Sequence, residues 1–149
     1  MTAFEIKDVK GFMGKLLASD TFDDYLILEA VITKANTFTI DGRLNEEYLS
    51  DLENEDRTDG GDKDPVGKLQ TWGKVRSFCF ELIKGKTLPV YMKVVLQKSR
   101  EEADHYLNIV YDRKELKVVT GTSLRTFTLD KSLEREWDQS AEDLLKEYI

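Results

Sequence analysis

The chain has 149 residues, of which 40% are hydrophobic and 34% charged, with a formal net charge of −7. That supplies one domain with one core, and the 9 Gly, 2 Pro, 2 Trp, 6 Tyr and 7 Phe exclude collagen-like and globally disordered chains. A single Cys excludes an intramolecular disulfide and a thiolate-based zinc site, and the acidic balance argues against nucleic acid.

The first residues carry charges at Glu5, Lys7, Asp8 and Lys10 and lack the apolar core of a secretory signal. No uncharged apolar run approaches the length of a membrane span. The expectation is a cytoplasmic protein with a reduced thiol at Cys79. Asp8 to Leu17 reads as a helix: Val9, Phe12, Met13 and Leu16 share one face, and Asp8 is a competent N-cap.

From Tyr25 to Ile32 the residues are nearly all apolar, rich in β-branched and aromatic types, which predicts a strand buried on both faces. Glu29 is the one acid in it. It reads as half of an ion pair across the sheet, or as an acid with raised pKa in a pocket. Lys34-Ala35-Asn36 is a turn, Thr37 to Asp41 a second strand, and Gly42 its end. Asn45 then caps a short helix from Glu46 to Leu52, with Tyr48, Leu49 and Leu52 facing inward.

Residues 54–65 contain no apolar side chain before Val66 other than the ring of Pro65, and include Gly60-Gly61. They read as an acidic mobile loop inside a single domain spanning 1–149. Residues 44–64 hold 2 basic and 9 acidic side chains, whereas residues 66–98 hold 7 basic and 1 acidic. Val66 to Lys84 shows apolar residues at three and four (Val66, Leu69, Trp72, Val75, Cys79, Leu82), which predicts one long helix stopped by Gly85.

The period then changes to two. Strands are expected at Leu88–Gln97, Tyr106–Tyr111, Leu116–Thr120 and Leu124–Leu129, with Gly121 as a break, and a final helix from Ser132 to Tyr148. The fold class that follows is α+β. An antiparallel sheet of about six strands, an N-terminal hairpin plus a C-terminal meander, is packed by helices mainly on one face. Its core should include Trp72, Phe78, Cys79, Leu82, Val94, Ile109, Val118 and Trp137. Alternating Lys117, Thr120, Thr126 and Thr128 imply that part of the sheet has a wet face.

Three stretches, FMGKLL, FTIDGRLN and WGKVRSFCFELIKGKTLPVYMKVVL, resemble a family of small uncharacterised proteins from anaerobic Gram-positive bacteria, grouped as a domain of unknown function. The resemblance implies a stand-alone cytosolic protein. It assigns no catalytic residue.

Motifs for chemistry are sparse. A calcium loop registered on Gly60 would place Arg57 and Val66 at ligand positions, so it fails, leaving a solvated acidic loop with at most loose binding by Asp56, Asp59, Asp62 and Asp64. One His and one Cys provide no zinc site. Cys79 reads as a packing residue, and His105 as a surface residue beside a carboxylate. The basic residues Arg43, Arg76, Lys84 and Lys86 form a candidate anion site, expected to converge near the C-terminal end of the long helix. The reading is therefore a non-enzymatic binding or interaction domain, with no cofactor or metal, whose partner is a protein or a second copy. The alternative is an enzyme or binder of a small anion, phosphate or nucleotide, held by that cluster.

Overall fold

A computed structural model of the chain describes residues 1–55, 68–113 and 115–149. The strands are β1 (Ala3–Ile6), β2 (Leu26–Thr33), β3 (Thr37–Asp41), β4 (Tyr91–Ser99), β5 (Ala103–Asp112) and β6 (Glu115–Leu124). The helices are α1 (Val9–Ala18), α2 (Glu46–Glu55), α3 (Arg76–Ile83) and α4 (Ser132–Leu145). All six strands form one antiparallel sheet in the order β1-β6-β5-β4-β2-β3. The hairpin β2–β3 thus joins the meander β4–β5–β6 by pairing of β2 with β4, and the fold is α+β.

One face of the sheet carries the core. Along one row Ala30 lies opposite Val94, Val94 opposite Ile109 and Ile109 opposite Val118, and all four are fully buried. Phe12 and Leu16 of α1, Cys79 of α3, and Trp137 and Ala141 of α4 pack into the same cluster. Asp8 caps α1 through a bond from Gly11 N at 3.0 Å. The next row, on the opposite face, reads Glu29, Val95, Asn108 and Val119, and the one beyond it Val31, Lys93, Val110 and Lys117. This mixture is the wet face that the alternation implied.

Of the eight expected core residues, Trp72, Cys79, Val94, Ile109, Val118 and Trp137 are buried and Leu82 is partly so. Phe78 is 65% exposed. The inward stripe of α3 runs through Cys79 and Ile83, four apart, and Phe78 sits about 100° away from Cys79 around the axis.

The described part of the expected long helix is helical only in its second half. Residues 68–71 are extended, with Leu69 bridged to Arg43 and Thr71 to Leu26. Their backbone groups are taken by strands: Ile27 N donates to Gln70 O at 2.9 Å, Gln70 N to Gly42 O at 2.8 Å, and Trp72 N to Tyr25 O at 2.7 Å. A 3-10 turn, Trp72–Lys74, follows, and α3 begins only at Arg76. A three-and-four pattern is shared by a helix and by an extended segment running into a helix, so periodicity could not separate them.

Other boundaries also move. Strand β2 is buried on one face only, because a bulge at Leu28 lets Ile27, Ala30 and Ile32 all face the core while Leu26, Leu28 and Val31 are half-buried. β6 runs unbroken through Gly121, and residues 125–129 are not a strand: Phe127 is 87% exposed. β1 lies in a stretch not read as a strand. Leu88 and Val90 lie outside β4 and are exposed, as is Tyr48 on α2. Helix α2 reaches Glu55, and the remainder of the acidic loop, with Asp56, Asp59, Asp62 and Asp64, lies outside the described residues. No helix among the described residues is long and apolar enough to cross a membrane.

Candidate functional site

The bulge at Leu28 and the extended segment 68–71 together create a cleft on the wet face. Past Gly42 the chain leaves β2, and residues 68–70 fill the gap that opens between the two. Gly42 is the junction: its N–H donates to Leu28 O at 2.8 Å while its carbonyl accepts from Gln70 N. The cleft has a volume of about 580 Å³ and is lined by Leu28, Glu29, Asp41, Arg43, Leu69, Lys93, Val95 and Gln97. Val95 is buried at its floor, and Leu28 and Leu69 are half-buried in its lining.

Its charges are mutually paired. Lys93 Nζ lies 3.0 Å from Glu29 Oε1, a diagonal pair between β4 and β2. Arg43 grips Asp41 with Nε at 3.2 Å from both carboxylate oxygens and Nη2 at 2.8 Å from Oδ2, and Arg43 N–H adds a bond to Oδ1 at 3.0 Å. These guanidinium and backbone bonds hold the Asp41 carboxyl down to about 2. Two acids and two bases thus sit around an apolar floor. Among the described residues that line the cleft, none is a Ser, Cys, Thr or His that could serve as a nucleophile or neutral-pH base.

Of the four residues expected to form an anion site, Arg43, Arg76 and Lys84 are set beside three different carboxylates. Arg43 is in the cleft with Asp41. Arg76 opens α3, where it pairs with Asp23 through Nε at 2.7 Å and Nη2 at 3.0 Å and lowers the Asp23 pKa. Lys84 closes the same helix beside Glu81 at 2.7 Å, and Lys86 is exposed two residues beyond. Arg76 and Lys84 therefore occupy opposite ends of α3. The cleft instead brings Arg43 together with Lys93 and Glu29. Lys93 stands on the polar phase of β4, and Glu29 on the broken phase of β2. Leu69 carried no such signal, because its spacing matched a helix.

Two further residues are settled by geometry. Cys79 is fully buried, and desolvation pushes its thiol up to about 12. His105 is not on the surface. It is 3% exposed, stacked 4.9 Å from Trp137, with Nδ1 3.0 Å from Thr122 Oγ1. An odd-numbered β5 position faces the core, so the His105 ring lies on the buried side. Among the described residues, no group of three or more His, Cys, Asp and Glu side chains is arranged to hold a metal ion.

Fold and cleft together define an α+β architecture: one antiparallel sheet, with α1, α3 and α4 on one face and a charge-paired cleft on the other. The chain belongs to a family of unknown function, DUF5721, whose model matches residues 15–107 and 103–149. No curated protein and no solved structure matches it.

Proposed function

We propose that this chain is a cytoplasmic binding domain without catalytic machinery of its own, which takes a segment of a protein partner into the wet-face cleft. The observation that carries this reading is the cleft's composition: two internal ion pairs rim a floor formed by Val95, Leu28 and Leu69. A peptide bearing both charges can exchange these pairs for intermolecular ones, and its apolar side chains can cover the floor. Electrostatic complementarity of this kind selects partners more than it adds affinity. Cytoplasmic placement is supported by the lone free thiol of Cys79, and a bacterial source by the resemblance of the three sequence stretches.

Titrating the protein with mixed-charge, acidic and basic peptides tests the reading. Preferential binding of mixed-charge peptides, weakened about tenfold or more by Lys93→Glu and by Leu69→Asp, supports it. Absence of binding, or variants that bind like the wild type, overturns it.

One observation favours a second reading, a small anion: Arg43 and Lys93 line the same cleft. An anion would have to displace Asp41 and Glu29. Titration with inorganic phosphate, lost in Arg43→Gln, is the result expected if that reading holds.

A further inference from the structure

The two edges of the sheet are treated differently. At the β1 edge, Glu5 and Lys7 are charged, and the amides of Lys7 and Asp8 both donate to Tyr148 O, at 2.6 and 3.0 Å. Charge and cover of this sort protect an edge from further pairing. At the β3 edge the sequence Thr37-Phe38-Thr39-Ile40 is neutral. Its first charge, Asp41, is already neutralised by Arg43 of the same chain.

The phase of that edge follows from the hairpin. Lys34 N bonds to Asn36 O and Gly42 N to Leu28 O, so residues 36, 38, 40 and 42 point their backbone groups toward β2. The amides and carbonyls of Thr37, Thr39 and Asp41 therefore point outward. Among the described residues no backbone group bonds to them. Beyond Asp41 the edge ends, because Arg43 N–H is taken by the Asp41 side chain at 3.0 Å.

We infer that the β3 edge is a self-association surface whose occupant is β3 of a second copy, paired antiparallel about a two-fold axis at Thr39. In this register Thr39 faces its own counterpart as a hydrogen-bonded pair, and Thr37 faces Asp41 of the other copy. Phe38, 42% exposed, meets Ile40 of the other copy in a non-hydrogen-bonded pair, where side chains approach most closely. Both residues lie on the core face, so the two apolar layers become continuous. No like charges oppose one another, since each Asp41 meets a threonine. The contact is isologous and closes as a dimer. It also places the Asp41 rim of each cleft at the seam.

Cysteine cross-linking tests the register. A hydrogen-bonded antiparallel pair has Cα atoms about 5.5 Å apart, within the span of a disulfide. Thr39→Cys should convert to a disulfide dimer on mild oxidation, whereas Thr37→Cys, far from its own counterpart, should not. The native Cys79 is buried and adds no background. In parallel, the sedimentation mass of the unmodified protein should rise toward twice the monomer with concentration. Thr39→Lys, which opposes two like charges on the axis, should abolish that rise while leaving the circular dichroism unchanged. The inference is overturned if the unmodified protein stays monomeric, if Thr37→Cys and Thr39→Cys cross-link equally, or if Thr39→Lys associates like the wild type.

Discussion

Gly42 passes so close to Ile27 that a Cβ on residue 42 would lie 1.7 Å from the Ile27 carbonyl oxygen. That contact exists because β3, β2 and the segment 68–71 meet there, and it makes the cleft and the sheet one construction. Backbone atoms cannot rotate away as a side chain could. Gly42→Ala should therefore lower the unfolding free energy by about 3 kcal/mol, the upper part of the overpacking range, read as a fall in the urea midpoint. Gly14→Ala is the control, since nothing lies within 4 Å of its Cβ.

Trp72 is fully buried and its indole N–H donates to Leu16 O at 3.0 Å. It ties the 3-10 turn that precedes α3 to α1. Trp72→Ala should cost about 3–5 kcal/mol. Trp72→Phe should cost less, combining lost volume with an unpaired carbonyl worth about 1–3 kcal/mol. Urea titration of the two variants should rank them in that order.

His105 gives the fold a pH dependence. Burial lowers its pKa, Arg100 adds to the lowering, and Asp104, Asp138 and Glu136 pull the other way. The unfolded chain binds the proton near pH ~6.5, and the folded chain only at lower pH. Stability from the neutral ring is thus complete above about pH 6.5 and is lost as pH falls through the window below it. Urea midpoints measured from neutral to mildly acidic pH should decline, and His105→Gln should flatten that decline.

The Cys79 thiol should resist reagents in the folded protein. It is fully buried, and desolvation raises its pKa to about 12. Labelling by an aromatic disulfide reagent should occur at the rate of unfolding and accelerate with denaturant. Fast labelling in native buffer would show that α3 opens locally.

Much of this architecture could be read in advance, for identifiable reasons. Period-two spacing of Met92, Val94 and Leu96 in β4 and of Leu107, Ile109 and Tyr111 in β5 specified the core face, and the stripe Trp137, Ala141, Leu145 specified α4. Glu29 pairs across the sheet, here with Lys93, as one of its two sequence readings held. The misreadings of Leu69, Thr71 and Leu28 concern residues whose neighbours are distant in sequence. Leu69 and Thr71 have helical spacing, but bridges to Arg43 and Leu26 decide their conformation. Leu28 looked buried because nothing in a continuous apolar run reveals a bulge. Arg76 pairs with Asp23, 53 positions away, a neighbour that no local pattern announces. The cleft depends on those same long-range pairings, so its rim was visible and its floor was not.

Backbone NMR shift mapping during titration with a mixed-charge peptide locates the binding surface on the molecule. The result in favour of binding at the wet-face cleft is saturable shifts centred on Leu28, Leu69, Lys93 and Val95, with Trp72 and Ile109 in the core unmoved. Shifts centred instead on the exposed Phe127 and Leu129, or no saturable shifts with any peptide, would contradict it.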